Sequence, residues 1–137
     1  MIYFIRHGLD DESYIGGWSN ISLTDIGRKQ IKDSANWIKE NLNIKEIISS
    51  DILRARESAL IIASILNIDV AYLESLREQN KGIYNGLERK KLKQVDKTFI
   101  KNVQVDTIFP EGESLKDLYR RISKLICELN VLEDDTL

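Results

Sequence analysis

The stretch IKEIISSDILRARESALIIASIL, residues 44–66, decides how this chain folds. Its first part, Ile44 to Ser50, reads as a strand. From Asp51 the apolar spacing becomes helical, with Ile52, Ala55, Ala59, Ile62, Ala63 and Leu66 as the buried stripe. A strand running into an amphipathic helix is half of a β-α-β unit, and Val70 to Leu73 supplies the next strand. Working backwards, Ile2 to Ile5 is a continuous apolar run of strand length, as expected of a strand covered on both faces. Leu9 to Leu23 is a loop rich in Gly, Ser, Asn and Asp. Thr24 then reads as the N-cap of a helix reaching about Asn41, with Gly27, Ile31, Ala35, Ile38 and Leu42 at helical spacing. Working forwards, a helix is predicted from about Glu88 to Asn102, with Leu92, Val95 and Phe99 inward. Past the only proline, Pro110, Ser114 and Asp117 form a capping-box pattern. The helix they open carries Leu115, Leu118, Tyr119, Ile122, Leu125, Ile126, Leu129 and Leu132. The β-α-β-α-β order predicts an α/β fold, a mostly parallel central sheet sandwiched by helices in three layers. With no linker or repeat, residues 1–137 read as a single domain.

Composition narrows the partners. The net charge of −2 gives no electrostatic reason to expect nucleic acid or a membrane surface, so any anion site must be made locally. A single cysteine, Cys127, excludes an internal disulfide and a thiolate metal cluster, as suits a reducing compartment. Met1 to Ile5 has no basic region before it and is too short for a signal or membrane segment, so the expected location is the cytoplasm.

Candidate chemistry collects where an open parallel sheet binds ligands, beyond the carboxyl ends of its strands. Arg6, His7 and Gly8 follow the first strand directly. A lone histidine is more often structural than functional, but this one has an arginine fork beside it for an anion and a glycine that admits backbone N–H groups. Arg54 falls in the first turn of the second helix, whose N-terminal amides also favour anions. Arg56 reads as a surface charge. Glu78 lies in a glycine-punctuated loop, Leu76 to Leu87, after the third strand, and is a carboxylate able to carry a proton. A lone loop glutamate is more often solvated, and Arg77 reads equally as its ion-pair partner.

Taken in order, these blocks resemble the histidine phosphatase superfamily, the phosphoglycerate-mutase-like fold. The matching blocks are Arg6-His7-Gly8, Ser22-Leu23-Thr24 with Gly27, Ser49-Ser50-Asp51 with Arg54-Ala55 and Ser58-Ala59, Leu76-Arg77-Glu78 with Gly82 and Gly86, and Gly112-Glu113-Ser114-Leu115. The resemblance implies that His7 takes the phosphoryl group as a phosphohistidine, since imidazole is nucleophilic at neutral pH without a metal. It implies that Arg6, Gly8 and Arg54 help to hold the phosphoryl oxygens, and that Glu78 is the general acid and then the base for water. No cofactor or metal is implied, and the partner is a small phosphorylated substrate.

The departures bear on what is bound. Leu9-Asp10 stands where Glu-Thr often follows Arg-His-Gly, and Asn85 where many members have glutamate before glycine. The family also completes its phosphate pocket with a second histidine on a strand after the helix that begins near Glu113-Ser114, and this chain has only His7. The chain therefore resembles a member shortened at its C-terminus. Without that strand the edge at Ile2 to Ile5 is expected to be exposed, open to self-association and poor in stability. Three functions follow from the resemblance: a metal-independent phosphomonoester phosphatase with little or no activity in this form, a non-catalytic module binding phosphorylated ligands, and a mutase-type phosphotransferase. The short spacing from Glu78 to Glu113 leaves little room for a mutase-type insertion and favours the phosphatase. No Gly-x-Gly-x-x-Gly or Walker-type loop supports a nucleotide-binding fold.

Overall fold

Residues 24–66 build the first packed layer of the computed structural model, which describes residues 1–130. Helix α1 spans Asp25–Asn41. The Thr24 hydroxyl accepts the Gly27 N–H at 3.0 Å, the cap its sequence predicts. Gly27, Ile31 and Ala35 recur every fourth residue and are buried. Helix α2, Leu53–Leu66, lays Ile62 against Ile31 and Ala35, with Ile47, Ile61, Ile65 and Leu66 closing the cluster. Each such side chain fully removed from water contributes roughly 1.5–3 kcal/mol. Helix α2 begins two residues after Asp51, at Leu53, with Ile52 in the cap position and no side-chain cap. The Asp51 carboxylate is taken instead by Arg77.

Strands β1, Ile47–Ser49, and β2, Val70–Tyr72, flank α2 in sequence and pair in parallel. Ile47 faces Val70, Ile48 faces Ala71 and Ser49 faces Tyr72. Both strands are shorter than their apolar runs. The larger departure is Ile2 to Ile5, which joins no ladder among the described residues. A strand exists only where a neighbour takes its N–H and C=O groups, and these four residues, all apolar, lie 42–84% exposed. A cavity of about 570 Å³ is bounded by residues 2–5, by β1 and by apolar side chains of α1 and α2, among them Ile38, Leu42, Ile62 and Leu66.

A second core holds the connection beyond β2. Its centre is Ile15, Tyr84 and Phe109, with Leu87, Leu92, Phe99, Ile100 and Val103 packed around it. Tyr84 stacks on Phe99 at 5.8 Å, and Phe109 meets Phe99 edge-on at 5.6 Å. Helix α3 covers only Gln94–Lys101, because Arg89–Lys91 forms a separate 3₁₀ turn. Leu92 and Phe99 pack inward, whereas Val95 is 78% exposed. The inward face of α3 is set by Phe99, Ile100 and Asp96, which accepts the Tyr84 hydroxyl at 3.5 Å, and Val95 falls at its edge. Gly82 ties this core to the next segment with φ at +54°, and a Cβ there would stand 1.7 Å from the Pro110 carbonyl oxygen.

Helix α4, Leu115–Asn130, opens on the predicted box. The Ser114 hydroxyl accepts the Asp117 N–H at 3.1 Å, and Asp117 accepts the Ser114 N–H at 3.2 Å. Leu125 is buried, but Leu115, Tyr119 and Ile126 of the predicted apolar face are exposed. Leu132 lies outside the described residues. No helix among those described is long and apolar enough to cross a membrane.

Candidate active site

Two helices place His7. The backbone of residues 8–9 runs against the start of α1, where a Cβ on Gly8 would come within 2.3 Å of the Gly27 carbonyl oxygen. A Cβ on Gly27 would come within 2.1 Å of the Leu9 carbonyl oxygen, so both glycines are required by one backbone contact. The Thr24 N–H and hydroxyl both donate to that Leu9 carbonyl, at 2.9 and 3.0 Å. From the other side the Gly8 N–H donates to the Ser58 hydroxyl of α2 at 3.2 Å.

His7 itself has a defined tautomer. Its Nδ1 lies 2.7 Å from the Gly8 carbonyl oxygen, which can only accept, so Nδ1 carries the proton. The Arg54 Nε–H donates to Nε2 at 3.2 Å, which leaves Nε2 with its lone pair. An imidazole with Nε2 unprotonated is the nucleophilic form, and its lone pair becomes free to attack once the Arg54 Nε–H moves off it.

Arg54 is the hub, with a side chain only 3% exposed. One Nη group donates to the Ser19 hydroxyl at 3.3 Å, and the other to the Gly17 carbonyl at 2.9 Å and to Glu78 Oε2 at 2.7 Å. Asp10 Oδ2 lies 3.4 Å from its Nε. The Glu78 carboxylate also accepts the Gly17 N–H at 3.3 Å and pairs with Lys81 at 3.3 Å. Burial pushes the Glu78 carboxyl up, but the Lys81 and Arg54 charges and the Gly17 N–H outweigh it and hold the group below the usual carboxylate range. Arg6, His7, Asp10, Arg54, Glu78 and Lys81 all line one polar cavity of about 420 Å³. Among the described residues Arg6 makes no side-chain hydrogen bond or ion pair, and it is exposed.

The sequence candidates thus divide. His7 and Glu78 each contact Arg54, Arg6 lines the same cavity, and Gly8 positions His7. Arg77 is not the partner of Glu78: it forks onto Asp51 and lies 4.6 Å above the Trp18 ring. Asn85 spends its side-chain oxygen on the Trp18 and Lys81 N–H groups, holding the loop. Ser22 and Leu23 bind Glu57 of α2 together with Arg28. Arg56 is a surface residue over Tyr72. Sequence reasoning missed Ser19, Lys81 and the Gly17 carbonyl, and noted Asp10 only as a departure from a pattern. The signal for Asp10 was its position, an acid three residues from the candidate nucleophile. No three His, Cys, Asp or Glu side chains among the described residues gather as a metal-binding group.

An α/β fold of the phosphoglycerate-mutase-like type is the class that this structure defines. Residues 2–136 match the histidine phosphatase superfamily (branch 1), and the chain belongs to that family. It is 35% identical over 128 residues to "Probable phosphoglycerate mutase GpmB" of Escherichia coli, covering 89% of this chain and 59% of that one. The mycobacterial glucosyl-3-phosphoglycerate phosphatase superposes with a TM-score of 0.77 at 26% identity, over 93% of this chain and 62% of the other. The α-ribazole phosphatase of Shigella flexneri shares the fold with a TM-score of 0.79 at 21% identity, over 92% of this chain and 65% of the other. The chain therefore spans about 59% of the length of the curated relatives it matches.

Proposed function

We propose that this chain carries the machinery for metal-independent hydrolysis of a small phosphomonoester through a phosphohistidine on His7. The observation that carries the reading is the His7–Arg54–Glu78 contact, a lone-pair nitrogen and a carboxylate bonded to the same buried guanidinium. In the first step Nε2 attacks phosphorus, the P–O ester bond breaks, and the leaving oxygen takes a proton from Glu78. In the second, water attacks, the P–N bond breaks, and Glu78 takes the proton that water gives up. Arg54 and Arg6 supply the positive charge that the transferring oxygens need. The free-state ion pair between Glu78 and Arg54 must open for substrate to bind. A phosphoryl anion on Arg54 then replaces Glu78 as its counter-ion and, by like-charge repulsion, raises the carboxyl toward the protonated form that the first step uses. The glucosyl-3-phosphoglycerate phosphatase likeness supports hydrolysis, as does the short, internally packed stretch between Glu78 and Glu113.

A second reading is a module that binds phosphorylated ligands through Arg6 and Arg54 without turnover. One experiment separates the two. The protein is incubated with an aryl phosphate in excess EDTA, and an acid-labile phosphoprotein is sought by rapid quench. Turnover and labelling that vanish in His7→Ala support the phosphatase. Phosphate binding without either supports the binding module, and turnover surviving in His7→Ala refutes the phosphohistidine.

A further inference from the structure

Two carboxylates, not one, reach the guanidinium that anchors the proposed phosphoryl site: Glu78 at 2.7 Å and Asp10 at 3.4 Å. A negative charge at that distance opposes a fully ionised phosphoryl group. Glu78 has a side chain 46% exposed and room to withdraw, but Asp10 does not. Its side chain is 16% exposed, and its backbone bridges Leu23 beside the pinned carbonyl of Leu9. The adjacent Asp11 also lines the cavity, but its carboxylate makes no contact with Arg54 and accepts the Ser13 N–H and hydroxyl instead. Asp10 is therefore a fixed acceptor in the wall of an anion site. An ionised carboxylate has no hydrogen to give, but it readily accepts one.

That restricts which anion fits. A singly protonated phosphoryl group carries a P–O–H donor, whereas a phosphoryl dianion and a sulfate at neutral pH carry none. We propose that Asp10 is a specificity-determining residue, accepting the P–O–H hydrogen of a phosphate monoanion anchored on Arg54 and so selecting it over dianions and over sulfate. The cations Arg6, Arg54 and Lys81 attract the more highly charged anion more strongly, so a preference for the monoanion cannot come from them. This rests on reading the cavity as a phosphoryl site, and the test keeps the two apart.

Inorganic phosphate and sulfate are titrated calorimetrically into the 137-residue chain at one mildly acidic pH and ionic strength. Using one pH cancels any change of charge at His7, which both anions meet. The unsubstituted chain should prefer phosphate by on the order of ten- to a hundredfold, the range of one hydrogen bond to a charged group. Asp10→Asn, whose amide can donate, and Asp10→Thr, whose hydroxyl can donate, should each bring the ratio toward one by gaining sulfate affinity. Asp11→Asn removes the same charge and should leave the ratio unchanged. A ratio that survives both Asp10 substitutions overturns the proposal, while the site stands if Arg54→Ala still abolishes binding. Binding of both anions that is indifferent to Arg54→Ala, or no binding at all, overturns the site and the proposal together.

Discussion

At the scale of single residues, the Arg54 guanidinium organises everything the proposed chemistry needs, and Glu78 is the residue whose part is most directly testable. Its carboxyl is held below the usual range in the free protein, so the acid form is scarce at neutral pH. As a general acid it must be protonated while His7 Nε2 must not be, so kcat/KM should be bell-shaped in pH, and Glu78→Gln should remove the limb that Glu78 sets. Glu78→Gln should slow turnover by roughly 10²–10⁴-fold on alkyl phosphates, whose leaving oxygen needs a proton. The loss should be much smaller on an activated aryl phosphate. Equal losses on both would remove Glu78 from the acid role. The residues of this network were unevenly legible. His7 and Arg54 could be picked out because one follows an apolar run directly and the other falls in the first turn of α2, and Glu78 because it lies in the glycine-punctuated loop beyond β2. Arg77 misled, because adjacency in sequence suggests a partner for Glu78 while the loop turns its guanidinium to Asp51. The Gly17 carbonyl and Ser19 leave no spacing signal, since they meet Arg54 across more than thirty residues.

At the scale of elements, the joint between the loop before α1 and the flank of α2 is an ionic clamp. The Glu57 carboxylate accepts the Ser22 hydroxyl, the Leu23 N–H at 2.7 Å and the Arg28 guanidinium at 3.2 Å. Burial raises the Glu57 carboxyl, but these hydrogen bonds outweigh it and leave the group lowered. A carboxyl lowered on folding stabilises above its unfolded pKa, and that stabilisation is lost as pH falls through the folded value. Denaturant titrations should therefore show stability falling below about pH 4. Glu57→Gln should cost roughly 1–3 kcal/mol at neutral pH and flatten that part of the acid dependence. An unchanged acid slope in the variant would assign the loss to other carboxylates. Elements closed by local rules were readable, as Thr24 and the Ser114–Asp117 box show. Strand existence was not readable for Ile2 to Ile5, because an apolar run says nothing about whether a neighbour is present to pair with it.

At the scale of the whole molecule, the exposed run Ile2 to Ile5 and the adjoining 570 Å³ apolar cavity form one unsatisfied surface. Exposed apolar surface next to unpaired backbone promotes association. Sedimentation velocity should show concentration-dependent self-association of the 137-residue chain. Phe4→Glu, which charges a side chain already 84% exposed, should weaken it without loss of helical signal. A chain that remains monomeric at all concentrations would refute this.

The indole of Trp18 donates to the Glu78 backbone carbonyl at 2.8 Å while the Arg77 guanidinium lies over its ring. The chain thereby carries its own optical reporter for the carboxylate loop. With Trp37, exposed on α1, replaced by phenylalanine, Trp18 becomes the sole tryptophan, and the lone exposed Cys127 of α4 offers a unique attachment point for an acceptor dye. Displacement of Glu78 from Arg54 by an incoming anion should then be visible as a change in Trp18 emission and in energy transfer, timed in milliseconds by stopped flow. Emission indifferent to saturating phosphate would mean that the carboxylate loop stays in place when the anion binds.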